Sequence, residues 1–376
     1  MPFITLFLSA RTTKIQIVFL EPHLHCTTAA SMIAALPTLC PNFNWIRLIG
    51  LPRNPITTAA ISGLVLTTKN RPLRYFVVDS LLTEEACRVL FRNPDLCALQ
   101  AFIDGSATLP TMALPSITDI CIKYDRGHEW LQGFRGGSLG KLTSVAISSD
   151  CDTIDDFLGA FKTVAVTSSL PVTLTTFKFK TTRAWRPSYR SLLPFTQLKV
   201  IDIDFSCGLG CSSTIDDDTI TDLARAMPRL EMLYLGDTPC ETPGRVTVKG
   251  LAALSCYCPN LAHLCIHFRV ASLDPLGIPN HASAVLWQGC PLKHLLPGAT
   301  HVPEMFVPMV SLALLRIFPH LIGIESDDTG WKNVLKAFGH FKKHIAQVRH
   351  THLLCLGVSL MIPPSTGRVI SDHKSQ

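Results

Sequence analysis

The stretch DDTITDLARAMPRLEMLYL, residues 217–235, changes its period halfway. Ile220, Leu223, Ala224 and Met227 stand at i, i+3, i+4 and i+7, the spacing that gathers apolar side chains on one face of a helix. Pro228 then removes a backbone donor and biases its neighbours toward extended conformations, which ends the helix. Leu230, Leu233 and Leu235 follow as apolar-x-x-apolar-x-apolar, alternating at the end as a half-buried strand does. Helix, proline turn and short strand are expected in that order, and such a unit cannot bury its own apolar side.

Outward from this stretch the strand-like pattern recurs. It begins at Phe43, Leu73, Leu96, Ile117, Leu142, Leu174, Leu198, Leu230, Leu261, Leu292 and Leu321. From 43 to 321 the starts cover 278 residues in ten steps, a mean of 27.8, with single steps from 21 (96 to 117) to 32 (142 to 174 and 198 to 230). Ile15 in KIQIVFL is read as the start of a twelfth, poorer copy. Between copies, residues 28–36, 57–66, 83–91, 153–164, 217–227, 247–257 and 330–338 carry helical spacing. Many of them open on Thr or Asp, whose oxygen can accept from an unpaired helix N–H, and they run into Pro37, Pro94, Pro228 or Pro259. The mean period lies within the range of about 20–29 residues of leucine-rich repeats. Stacked side by side, such units bury one continuous core. The expected fold is α/β: a horseshoe-like leucine-rich-repeat solenoid of eleven to twelve irregular repeats, with a parallel sheet on the concave side and helices on the convex side. Residues 1–338 form the array, with 1–27 a poor first repeat or cap, and 339–376 form a basic C-terminal helix and a disordered tail.

Two copies carry a more specific signature. Residues 217–235 and VTVKGLAALSCYCPNLAHLCI at 246–266, with the steps Cys40-Pro41, Cys258-Pro259 and Cys290-Pro291, resemble the cysteine-containing leucine-rich repeats of F-box proteins. The run from 28 to 338 is similar to divergent fungal F-box/leucine-rich-repeat proteins. The resemblance implies a non-enzymatic protein-binding scaffold, the substrate-recognition part of an SCF-type ubiquitin ligase, with its protein partner on the concave face. A Skp-type adaptor and a cullin would join it if an F-box lies upstream. No F-box is found in the chain, which enters a strand-like segment almost at once, so an orphan or truncated interaction module without a ligase role is the alternative. The turn position eight residues after each start, commonly Asn or Cys in the family, varies from Leu51 to Thr329, with side-chain oxygens at Asp104 and Thr300 among others. A regular asparagine ladder is therefore absent, and an even curvature is not expected.

Composition narrows the class. Of 376 residues, 47% are hydrophobic and 16% charged, which excludes a disordered chain and permits a substantial core. The longest apolar stretch, 305–315, contains Pro308 and falls short of the roughly 20 residues that span a bilayer, so no membrane partner is expected. MPFITLFLSAR at the start has no basic residue before its apolar run and is read as a first β-strand. Fourteen cysteines without paired spacing point to free thiols in a reducing compartment, cytoplasmic or nuclear. The net charge of +6 is spread out, with mild concentrations at 178–190 and 342–350 that read as solvated faces. No nucleic acid partner is expected, and the chain is expected to be a monomer.

Enzyme motifs are missing. There is no GxxxxGK[ST] or GxSxG, and GLGCSS at 208–213 lacks the lysine of a phosphate loop. Asp216, Asp217 and Asp218 lack calcium-loop spacing and sit where a helix begins, so they are read as complementing its dipole. Cys207 and Cys211 are read as part of a solvent-facing loop. Neither a cofactor nor catalysis is expected, and a surface remains. Third, fifth and seventh positions of each copy point away from the core. Among them are Trp45, Arg47, Tyr75, Asp79, Lys178, Lys180, Asp202, Asp204, Tyr234, His263 and His267. Aromatic side chains and arginine anchor protein interfaces. Lys178 and Lys180 lie beside Asp202 and Asp204 of the next copy, as partner contacts or as cross-strand charge compensation. His263, Cys265 and His267 share one side of a strand, which leaves a metal contact open.

Overall fold

In the computed structural model of the chain, a strand begins two residues after every one of the starts from Phe43 to Leu321. The strands are β1 Lys14–Val18, β2 Trp45–Ile49, β3 Tyr75–Leu81, β4 Ala98–Ile103, β5 Asp119–Tyr124, β6 Ser144–Ser149, β7 Thr176–Thr181, β8 Val200–Phe205, β9 Met232–Leu235, β10 His263–Ile266, β11 His294–Leu296 and β12 Gly323–Ile324. They form one open sheet, parallel throughout, in sequence order, and the architecture is a horseshoe-like α/β repeat solenoid. The structure describes residues 9 and 11–355 except 20–25, 70, 105–106, 109–110, 112–113, 126–128, 135–138, 140, 150–158, 160, 164–172, 182–188, 206–214, 237–244, 270–289 and 299. The expected strand at residues 1–11 falls almost wholly outside these, as do Cys207 and Cys211 and the tail beyond 355.

One backbone device holds the sheet in register. At every junction the carbonyl just before the strand accepts from two successive N–H groups of the next repeat, beginning with Thr13 O (from Asn44 and Trp45) and ending with Lys293 O (from Ile322 and Gly323). The hydroxyls of Thr118, Thr143 and Thr175 add a further bond to the preceding repeat, at 3.0, 3.1 and 3.1 Å. The backbone therefore keeps the sheet continuous without a regular asparagine ladder, and Thr300 makes one of the turn bonds open to its hydroxyl, to Phe268 O at 3.3 Å.

The convex side is built from the crossovers between strands. The helices whose bounds lie within the described residues are α1 Cys26–Leu39, α2 Pro55–Thr67, α3 Glu84–Leu90, α4 Asp217–Ala226, α5 Val248–Tyr257, α6 Val307–Ile317 and α7 Thr329–Cys355. Among their described residues the crossovers into β6 and β8 carry 3-10 turns, at Glu129–Phe134 and Tyr189–Leu192. Of the expected helix 153–164 only positions 159 and 161–163 are described, and they are helical. There Phe161 stacks on Phe195 at 4.9 Å.

Three expectations need correction. Ile15 is not a motif start: it pairs with Ile46, the fourth position, because burial alternates around it between exposed Lys14 and Gln16. Pro37 does not end the first helix but lies inside α1, which runs on to Leu39. The division at 338/339 falls within α7, which is unbroken from Thr329 to Cys355. The apolar stretch at 305–315 is mostly α6, a buried helix whose outer side exposes Met309 and Leu312.

The cysteines of the Cys-Pro steps are core plugs. Three residues before the start, a carbonyl closes a turn onto the motif: Cys40, Leu139, Phe195, Met227, Cys258 and Phe318 all do this, and all are fully buried. Apolar side chains fill these six slots, while Asn93 holds the equivalent one before Leu96, and free cysteine serves as a small hydrophobe. Cys290 sits one residue closer to its start, with its thiol on Leu261 O at 3.0 Å. Burial pushes the thiols of Cys87, Cys258 and Cys290 from 9.0 up to about 12.

An unfolded thiol near 9 and a folded one near 12 mean that the folded state holds the proton more tightly. Stability is complete below pH 9 and falls as pH rises from 9 toward 12. At pH 10 the expected loss is about 1.4 kcal/mol per thiol. In denaturant titrations Cys258→Ala and Cys290→Ala should each reduce this slope by one proton. A stability curve flat from pH 9 to 11 would contradict the assignment.

Candidate functional site

A register kept through the third position of every strand turns the outward side chains of the sheet into rows. The third positions run Lys14, Trp45, Tyr75, Ala98, Asp119, Ser144, Thr176, Val200, Met232, His263, His294 and Gly323, each paired with the next. The fifth positions run beside them, with Arg47 between Gln16 and Val77, and Asp202 between Lys178 and Tyr234. This concave face has three different regions.

At the N-terminal end Trp45 and Tyr75 stack face to face, ring centroids 4.7 Å apart and 8° from parallel. Both are half-buried, and Arg47 lies in the adjoining row. Its Nε is shut off from solvent and has no hydrogen-bond partner among the described residues. Asp79 has another task. The register of β3 slips between Val77 and Leu81, so Leu81 rather than Asp79 stands opposite Phe102. Asp79 accepts from Gly50 N at 2.7 Å and Leu51 N at 3.3 Å. It thereby fixes the turn leaving β2, where Gly50 has φ +76° and a Cβ would lie 2.1 Å from Phe19 O.

The middle of the face is small and polar, with Ser144, Ala146 and Ser148 on β6. Beyond it, Lys178 and Lys180 of β7 pair with Asp202 and Asp204 of β8, at 3.3 and 2.5 Å. The register places each cation directly beside its carboxylate, so charge compensation across the strands is realised. Exposed pairs of this kind contribute at most about 1 kcal/mol each.

The C-terminal region is imidazole-rich. His263 stacks on His294 of the next strand, 5.0 Å between centroids and 6° from parallel, and His294 Nδ1 is 3.3 Å from Glu325. Tyr234, half-buried, lies one strand before Cys265 in the fifth-position row. His263, Cys265 and His267 do not converge. Cys265 is fully buried, with its thiol on Gly236 O at 3.4 Å. His267 lies past the end of β10 and faces Gly298, where a Cβ would come within 2.4 Å of the ring. Among the described residues no group of three or more His, Cys, Asp or Glu side chains is placed to hold a metal ion.

Sequence reading missed two members of this face. His294 holds the same third position as His263, so the alternation rule selects it equally. Phe102, with the Arg53 guanidinium 5.2 Å from its ring centroid, is half-buried as the seventh position of its copy, and nothing in the sequence announces the partner loop. In the opposite sense Val77, 6% exposed, is too deeply covered to reach a partner.

The acidic run at the start of α4 is structural. Asp216 caps the helix through Thr219 N at 2.9 Å, and the Thr219 hydroxyl and N–H hold its carboxyl below the usual range. Asp217 reaches into the next repeat, bonding Thr247 and Gly250. No helix of the described residues is long and apolar enough to cross a membrane. No protein-family model and no curated protein matches the chain; its architecture is that of an α/β repeat solenoid with a continuous parallel sheet on its concave side.

Proposed function

We propose that the chain is a non-enzymatic protein-binding scaffold that receives a protein partner on its concave face. The observation that carries this reading is the stacked Trp45–Tyr75 platform beside Arg47, whose buried Nε lacks an acceptor among the described residues. A half-exposed aromatic pair supplies contact area at low entropic cost, and a carbonyl or carboxylate of the partner supplies the missing acceptor. The likeness of residues 217–235 and 246–266 to the cysteine-containing repeats of F-box proteins supports a finer assignment. On it the scaffold is the substrate-recognition part of an SCF-type ubiquitin ligase in the cytoplasm or nucleus, with a Skp-type adaptor and a cullin as further partners when an F-box lies upstream.

Affinity purification of the longest transcript product tests both levels. Trp45→Ala is expected to weaken capture of the partner by about 2 kcal/mol, roughly thirtyfold. Recovery of an adaptor and a cullin supports the ligase role, and their absence removes it. A captured partner indifferent to Trp45→Ala, Tyr75→Ala and Arg47→Met overturns the concave assignment.

A further inference from the structure

Where the ends of α2 and α3 meet the turns into β3 and β4, a cavity of about 560 Å³ opens. Four cations line it, Lys69, Arg71, Arg88 and Arg92, against two carboxylates, Glu85 and Asp95. Arg88 is taken up by Glu84, one helical turn away at 2.5 Å. Lys69, Arg71 and Arg92 form no ion pair among the described residues.

Cations after a helix commonly answer the carbonyls of its last turn. Here six of those carbonyls are already bonded. Leu64, Val65 and Leu66 receive the Thr67 and Thr68 hydroxyls and the N–H groups of Thr68 and Lys69, while Cys87, Val89 and Leu90 receive those of Phe91, Arg92 and Asn93. Arg71 is also fixed along its backbone: its N–H donates to Thr68 O at 2.9 Å, and its carbonyl accepts from Asn93 Nδ2 at 3.3 Å. Its guanidinium lies 5.9 Å from the Phe43 ring centroid, and Nη1 is closed to solvent with no acceptor among the described residues. A buried guanidinium donor left unpaired is costly, and because Arg71 also lines the cavity, a small turn of its guanidinium toward an oxyanion there would satisfy it.

We propose that this cavity binds a small organic phosphate, with Arg71 Nη1 as the inner anchor and Lys69 and Arg92 at the mouth. A phosphate offers an oxygen to each of the three cations, and the cavity volume leaves room for an organic body beside the group. None of the lining residues belongs to the concave rows, so the site is independent of the protein-binding reading.

Phenyl phosphate is the probe, titrated calorimetrically into the full chain. Saturable one-to-one binding is expected, with competition by inorganic phosphate and none by phenol. Arg71→Met should weaken affinity about tenfold or more, Arg92→Met should weaken it less, and Arg74→Met, an exposed cation outside the cavity, should leave it unchanged. If Arg71→Met does not fold, Arg92→Met and the phosphate competition decide. Failure of the folded wild type to bind overturns the proposal, as does equal affinity in the Arg71 and Arg92 variants or competition by phenol.

Discussion

Trp331→Ala is expected to cost about 4 kcal/mol and to open the C-terminal end of the solenoid before the rest. The side chain is fully buried. Its indole Nε1 donates to Thr300 O at 2.6 Å, and its ring meets Phe268 edge-on at 5.6 Å. Its N–H donates to Asp328 Oδ1 at 3.1 Å, while the same carboxylate holds His301 Nδ1 at 2.6 Å. Truncation leaves a cavity under α7 and strips Thr300 O of its donor. Trp331→Phe, which keeps most of the bulk, should cost about 1–2 kcal/mol. Hydrogen exchange is the measurement: β11, β12 and α6 should lose protection while β2 to β8 keep it. Protection unchanged at that end would show that α7 does not hold the solenoid closed.

Asp217→Ala acts in the interior, with an expected cost of about 3 kcal/mol. The carboxylate accepts from Thr247 N at 2.7 Å, the Thr247 hydroxyl at 2.6 Å and Gly250 N at 3.0 Å. It therefore joins the first turn of α4 to the first turn of α5, across a repeat boundary. In a solenoid each repeat leans only on its neighbours, so weakening one boundary divides the molecule into two cooperative blocks. Urea unfolding should broaden from one transition into two, with Asp217→Asn intermediate. A single transition at the wild-type midpoint would exclude this role.

Both residues show what the sequence reveals and what it withholds. Periodicity locates β2 to β12 and most helices, because apolar spacing is imposed by one buried face and appears directly in the letters. The first strand is misaligned by three residues because Thr12 offers no apolar start, so only the partner strand reveals that Ile15 is the fourth position. Alternation also places Trp45, Tyr75, Lys178, Asp202 and His263 on the concave face. Whether two such residues stack, pair or stand alone depends on their neighbours across the sheet, and register is a property of the stack. Asp79 and Cys265 share that geometric rule and are nevertheless spent on the protein's own backbone, through a slip in β3 and a carbonyl in the preceding strand's turn. The cavity beside Arg71 lies where the ends of two helices meet the turns into β3 and β4, away from the alternating positions that define the concave face.

The paired N–H bonds at the mouth of every strand have a bearing on descent. They involve only main-chain atoms, so apart from the Thr118, Thr143 and Thr175 hydroxyls the side chains in that row are released from holding the frame, and mutation can alter them at little structural cost. What selection must keep is a sparse set of apolar plugs and a tolerable crossover length. Two chains of this kind can diverge until their aligned letters look random and still superpose strand upon strand, with the surface each presents free to become something new.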